Sequence, residues 1–128
     1  MFVIGKLVAN DVLGVIVKLS RRRWFAIDPA GTILVTPEEL IAYEEEVGRR
    51  FDAGEIPGPI HMNSETQAET LIEIFKEIPR DAWVLSTWRS HWHALLHGVP
   101  RQRVMDEILA GRSMMLHFPE YRFMTSAI

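Results

Sequence analysis

Cysteine is absent from this sequence, and its absence excludes several kinds of site. A chain of 128 residues without a thiol has no disulfide framework, no Cys-ligated zinc or iron–sulfur centre and no thiol nucleophile. Long apolar runs are also missing, because no stretch reaches the roughly 18 consecutive apolar residues that span a bilayer. Asn10 and Asp11 interrupt the apolar amino-terminal stretch too early for the core of a signal peptide. We therefore expect a cytoplasmic protein that does not enter a membrane.

Excess positive charge and phosphate-binding glycine motifs are missing as well. The formal net charge is −3, which provides no overall basic field for nucleic acid. The run from Arg21 to Arg23 is short, and we interpret it as a solvated turn. The sequence contains no Walker loop, no dinucleotide fingerprint and no Gly-x-Ser-x-Gly elbow. Nucleic-acid binding, nucleotide binding by these motifs and α/β-hydrolase chemistry are therefore not expected.

The composition that remains is that of a globular domain. Apolar residues make up 48% of the chain and charged residues 24%, which is typical of one folded unit of this length. Residues 24–35 predict strand, turn and strand, because Pro29 and Gly31 suit a tight turn. Residues 2–19 are compatible with two strands or with a short buried helix. We predict a small β element over residues 1–35, followed by an α/β segment over residues 36–128.

Residues 36–128 predict helices with few short strands. Thr36 and Glu39 have the spacing of a capping box, so a helix is expected to begin there. We interpret the acidic run at residues 44–46 as its solvated side. The predicted apolar face of this helix comprises Leu40, Tyr43, Val47 and Phe51.

A second capping box is predicted at residues 64–67, followed by another amphipathic helix. Residues 83–87 predict a buried strand, and residues 100–110 predict a third helix. The tail from Arg112 is predicted to be irregular. The apolar face of the second helix is expected to comprise Ala68, Leu71, Phe75 and Ile78.

Residues 86–98 carry the densest chemical signal. Imidazoles at His91, His93 and His97 titrate near neutrality and can move protons or bind metals. A role limited to hydrogen bonding within a loop is equally compatible with the pattern. Helical spacing would place His93 and His97 on one face, but no carboxylate lies nearby in sequence, so a metal held by these side chains alone is disfavoured. The planar guanidinium of Arg89 is a natural ligand for an anion.

The same region, together with the preceding loop, resembles a known enzyme family. Residues 54–61 read GEIPGPIH, and residues 81–98 read DAWVLSTWRSHWHALLHG. The α subunit of the decarboxylating first component of thiamine-diphosphate-dependent 2-oxo acid dehydrogenases has similar motifs in the same order. It reads roughly Gly-x-Ile-Pro-Gly-x-x-His, then a Gly-Gln-Glu-Ala helix, then Ser-Thr-(Tyr/His)-Arg-x-His-Gly-His. Residues 107–112 and 119–124 also follow family patterns, so the resemblance covers residues 36–128.

The resemblance implies the amino-terminal part of a thiamine-diphosphate-binding fold and assigns site residues by position. Trp88 and Arg89 fall on family positions that contact the cofactor and the substrate side of the pocket. His61, His91 and His93 fall on histidines that line the active site, near the diphosphate and the acyl intermediate. The implied reaction is decarboxylation of a 2-oxo acid, or a related acyl or aldehyde transfer, by an oxidoreductase.

The departures from the family pattern shape the remaining expectations. Trp88 lacks the hydroxyl or imidazole found at that position, and Trp92 replaces a glycine. The shortened loop near His117 prevents its assignment to the family's loop histidine. The Gly-Asp-Gly and Asn ligands for magnesium would follow Ile128. We therefore expect a small subunit of a split enzyme, inactive alone.

Such a subunit would share thiamine diphosphate and magnesium with partner chains in a heterotetramer or larger heteromer, and would act on a small-molecule substrate. Its own side chains would not ligate the metal. The alternative is a non-catalytic assembly or interaction module derived from the family. In such a module Trp88 and Trp92 would fill the space that the cofactor pocket occupies in the family.

Overall fold

A computed structural model describes the backbone of residues 2–4 and residues 36–125 in full, and the capped helices and apolar runs of these ranges form a mixed α/β fold. The helices within them are α1 (Pro37–Asp52), α2 (Ala68–Lys76), α3 (His91–Leu96) and α4 (Arg101–Leu109). The strands are β1 (Phe2–Ile4), β2 (Trp83–Ser86), β3 (His117–Phe118) and β4 (Phe123–Thr125). The coarse α/β expectation is therefore confirmed. The predicted strand, turn and strand at residues 24–35 lie outside the described residues.

The strands form one sheet in the order β1-β2-β4-β3. Strand β2 is parallel to β4, and the crossover between them carries α3 and α4, as parallel strands require a long connection. Strand β1 is antiparallel to β2, so residues 2–4 join the same sheet as the predicted strand near residue 85. The division of the chain at residue 35 stays a prediction.

The carboxyl-terminal region shows a clear difference from the sequence prediction. The prediction of an irregular tail from Arg112 is wrong, because β3 and β4 pair with each other there. Phe118 and Phe123 face each other across that pair, and both are buried. The two strands are only two and three residues long, which is too short for a periodic pattern to be visible in the sequence.

Helix α1 begins as its capping box predicts. The Thr36 hydroxyl accepts a hydrogen bond from the Glu39 backbone, and the Glu39 carboxylate accepts one from the Thr36 backbone. Three of the four predicted apolar positions are buried, but Phe51 is 41% exposed, because it lies in the last turn, where residues 51–55 are all exposed. The acidic run is not uniformly solvated either, since Glu44 is buried.

Helix α2 begins later than predicted, and the second capping box is wrong. The Ser64 hydroxyl shares a hydrogen bond with Thr66 Oγ1 at 3.0 Å and caps no backbone N–H group. Residues Glu65–Gln67 form a 3₁₀ turn, and the α-helix starts at Ala68. Its apolar face still packs as expected, with Phe75 fully buried.

The hydrophobic core lies between the helices and the sheet, and it surrounds most of α3. All six residues of α3 are buried, and its two histidines, His91 and His93, have hydrogen-bond partners that compensate their burial. Within residues 36–125 the structure contains no helix with the length and apolarity to cross a membrane. Buried side chains from α1, α2, β2, α4 and β4 complete this core, among them Leu40, Phe75, Val84, Ile108 and Phe123.

Candidate functional site

The loop that connects β2 to α3 presents the candidate site to solvent. Strand β2 ends at Ser86 and α3 begins at His91. Between them Thr87, Trp88 and Arg89 are exposed, whereas the residues on either side of these three are buried. The chain therefore displays a short polar and aromatic loop at the carboxyl end of a buried strand, a position where α/β folds commonly bind ligands.

A polar pocket of about 380 Å³ opens beside this loop. The pocket is lined by Thr87, Arg89 and His93 together with Asn63, Thr66, Gln67, Thr70 and Leu71. Seven of the eight residues that line it have polar side chains, so the pocket offers several hydrogen-bond donors. Its volume lies within the range of small-molecule sites, and its donor set suits an anionic ligand.

His93 occupies the inner wall of this pocket in a fixed orientation. Its Nδ1 lies 2.5 Å from the Ser86 Oγ, and its ring stacks on Phe75 with the ring centroids 5.8 Å apart. Burial penalises the charged imidazolium and lowers the pKa of His93 to about 4. His93 is therefore neutral at pH 7, and a neutral imidazole can offer a hydrogen bond but no charge.

His91 lies away from the pocket in a buried network. Its Nδ1–H donates to the Glu44 carboxylate at 2.9 Å, and its Nε2 is 2.7 Å from the Ser113 hydroxyl. The second oxygen of Glu44 accepts from the backbone N–H of Asn63 at 2.7 Å and from its side-chain amide at 3.3 Å. The network joins α1, α3, the loop before α2 and the loop after α4. The interpretation of Glu44 as solvated is wrong because these donors compensate its burial.

The connectivity Ser113–His91–Glu44 matches the order of a serine-hydrolase triad. Ser113 and His91 are both fully buried, and Glu44 is nearly so. A nucleophile must reach its substrate, and this hydroxyl has no exposed surface. We assign the network to the packing of the fold.

The two remaining predicted site residues contact each other at the surface. The rings of His61 and Trp88 lie 5.6 Å apart between centroids, with an interplanar angle of 35°. Trp88 is 46% exposed. Neither ring lines the pocket that Arg89 and His93 share. The structure therefore brings Arg89 and His93 together at a cavity, pairs His61 with Trp88 and buries His91.

Metal binding by the histidines is not supported by their geometry. His97 donates its Nε2–H to the Ala82 carbonyl at 2.9 Å, whereas His91 and His93 hydrogen-bond to other groups. His117 lies exposed on β3. Across the part of the chain that the structure describes, no three His, Asp or Glu side chains converge as a metal site would require.

The partners of His91 and His93 were not identified from the sequence, although Glu44, the partner of His91, had a visible signal. Leu40, Tyr43, Glu44 and Val47 follow the i, i+3, i+4, i+7 spacing of a buried helical stripe. Glu44 therefore lay on the predicted inner face of α1, although its acidic neighbours suggested solvent. The sequence indicated Ser86 as a hydroxyl donor within the predicted strand at residues 83–87, but it did not indicate that His93 is its partner.

Comparisons with known proteins add no relative to this geometry. The chain matches no family model, no curated protein and no solved structure.

Proposed function

We propose that this chain is a small subunit of a thiamine-diphosphate-dependent dehydrogenase or decarboxylase that acts on a 2-oxo acid or a related acyl or aldehyde substrate. One observation carries the proposal. Arg89 and His93, which the family resemblance marks as active-site residues, line the same polar pocket at the end of β2.

The donors of the pocket fit the diphosphate part of the cofactor. Arg89 carries a permanent charge on an exposed planar fork, which matches phosphate oxygens. Thr87 and Thr66 add hydroxyl donors around the same cavity. When bound, thiamine diphosphate supplies the electron sink for decarboxylation. The chain's own part is to hold the diphosphate and to limit the access of water.

The residues do not fit the magnesium ion that accompanies the diphosphate. In residues 36–125 there is no cluster of three side chains suited to holding a metal. The ligands of magnesium would come from sequence outside these 128 residues, on partner chains of a cytoplasmic heteromer. The active site is then formed at an interface, and the isolated chain is inactive.

A second candidate is a non-catalytic assembly module. The half-exposed side chains of Trp88 and Met62 favour it, because large apolar surfaces often mark protein contacts. The tryptophans do not fill the cavity beside Arg89, because Trp92 is buried in the core and neither Trp88 nor Trp92 lines the pocket. The position of Trp88 outside the lining departs from the cofactor contact that the resemblance assigns to it. A measurement of thiamine diphosphate binding distinguishes the two candidates, because only the first one predicts that the cofactor binds beside Arg89.

Replacement of Arg89 by alanine tests the proposed function directly. In the complex reconstituted with its partner chains, Arg89→Ala is expected to weaken thiamine diphosphate binding at least tenfold. A hydrogen bond to a charged group contributes about 1.5–3 kcal/mol, and 1.4 kcal/mol is a factor of ten. Isothermal titration calorimetry with magnesium present measures the change.

A matched control separates this effect from a loss of positive charge. Arg49 is exposed on α1 and does not line the pocket with Arg89, so Arg49→Ala is expected to bind as the parent does. Arg89→Lys should give an intermediate affinity, because lysine keeps the charge and loses the planar fork. Unchanged affinity in Arg89→Ala would refute the cofactor-binding role and leave the assembly module.

A further inference from the structure

Ser86 and His93 are held against each other by two separate elements. Ser86 is the last residue of β2, where it pairs with Thr125 of β4. His93 lies on α3, and Phe75 of α2 packs on its ring. Both side chains are buried, with exposures of 1% and 8%. The distance of 2.5 Å between Ser86 Oγ and His93 Nδ1 is therefore set by the packing of the fold.

The positions of the protons in this pair follow from the numbers of hydrogen-bond donors and acceptors that the two side chains carry. A neutral imidazole carries one N–H group and one acceptor nitrogen, and a serine hydroxyl carries one proton. If Nδ1–H donated to Ser86, the serine proton would need another acceptor. Within residues 36–125 the Ser86 hydroxyl has only His93 as its hydrogen-bond partner. An unpaired buried donor costs about 1–3 kcal/mol, so Ser86 donates, Nδ1 accepts and the imidazole proton is on Nε2.

The other edge of the ring faces the pocket. His93 Nε2 has no hydrogen-bond partner within the described residues. The atom is also not fully buried, because it is absent from the fully buried polar atoms that lack a partner. Since His93 lines the pocket beside Arg89, its Nε2–H group is available to a ligand there. A guanidinium and a fixed N–H group on one cavity select a ligand with acceptor oxygens.

We propose that His93 is a hydrogen-bond donor, through Nε2–H, to an oxygen of the anion bound beside Arg89, and that Ser86 is the positioning residue that sets this tautomer. The identity of the anion as a diphosphate rests on the proposed function, but the tautomer does not. In this role His93 orients an oxygen of the ligand. It does not remove a proton at the start of a reaction, because its acceptor nitrogen is occupied by Ser86.

Nitrogen NMR on the ¹⁵N-histidine-labelled full chain tests the tautomer without any cofactor. At pH 7 the Nε2 of His93 should show the chemical shift of a protonated ring nitrogen, and Nδ1 that of an acceptor. Ser86→Ala removes the donor and should shift the tautomer ratio towards Nδ1–H. Ser86→Thr keeps the hydroxyl and should keep the parental pattern. Ser113→Ala removes a hydroxyl from His91 only and is the matched control.

A proton on Nδ1 of His93 in the parent chain overturns the proposal, and this measurement needs no variant to fold. An unchanged tautomer in a folded Ser86→Ala chain overturns the role of Ser86. In the reconstituted complex, Ser86→Ala should weaken thiamine diphosphate binding about tenfold or more, because a hydrogen bond to a charged group contributes about 1.5–3 kcal/mol. Unchanged binding there overturns the donor role.

The two proposals fail separately. A complex that binds no thiamine diphosphate, with Nε2–H present on His93, refutes the proposed function and leaves the tautomer in place. Arg89-dependent binding together with an Nδ1–H tautomer refutes only the inference about Ser86 and His93.

Discussion

Acidification from pH 7 to pH 4 is expected to remove several kcal/mol from the free energy of unfolding. Burial lowers the pKa values of His93 and His97 to about 4, whereas an unfolded histidine titrates near 6.5. Between these values the unfolded chain binds protons that the folded chain does not. Stability therefore decreases as the pH falls through this window. At 1.36 kcal/mol per pKa unit, each histidine contributes about 3 kcal/mol.

Urea unfolding at a series of pH values between 7 and 4 measures this loss. His97→Gln can still donate to the Ala82 carbonyl through its amide and does not titrate, so its stability should fall less steeply with acid. His117 is exposed on β3, and His117→Gln is the control whose pH dependence should match the parent. A parent stability that stays level between pH 6.5 and 4.5 would show that these imidazoles are not buried as described.

Replacement of Glu44 is the second change with a large expected effect. Glu44→Leu should destabilise the fold by about 2–6 kcal/mol, because it leaves two buried donor partners without an acceptor, at about 1–3 kcal/mol each. Those partners are the Nδ1–H of His91 and the backbone N–H of Asn63. Glu44→Gln keeps one acceptor oxygen and should cost less.

Chemical denaturation at pH 7, followed by circular dichroism, measures the effect of Glu44. Glu45→Ala is the matched control, because Glu45 is the adjacent exposed carboxylate, and surface changes usually stay within about 0.5 kcal/mol. The double variant Glu44→Leu/His91→Leu should cost less than the sum of the two single changes, because the groups interact directly. A Glu44→Leu variant as stable as the Glu45→Ala control would exclude the buried network.

The parts of the fold that were predicted correctly depend on neighbouring residues. The start of α1 follows from Thr36 and Glu39, three residues apart, and β2 follows from a local apolar run. The errors arise where residues distant in sequence determine whether a side chain is buried or a strand is paired. Glu44 is buried because His91, 47 positions away, donates to it. Strands β3 and β4 form because β4 can pair with β2 across the crossover.

The candidate site shows the same division between residue type and placement. The resemblance marked Arg89 and His93 as candidates, and the structure places both on one pocket. It did not indicate the direction in which each histidine points. His91 and His93 are two positions apart on α3, so they face different sides of the helix, and one reaches Glu44 while the other reaches the pocket. The orientation of neighbouring imidazoles depends on packing that motif spacing does not report.

The structure of the chain bound to its partner chains, thiamine diphosphate and magnesium is the most direct test of the central claim. The account predicts the diphosphate within hydrogen-bonding distance, about 3 Å, of the Arg89 guanidinium, with an oxygen facing His93 Nε2. The magnesium ligands should come from sequence outside these 128 residues. A bound cofactor whose diphosphate lies away from the pocket between Arg89 and His93, or a complex that takes up no cofactor, would contradict the account.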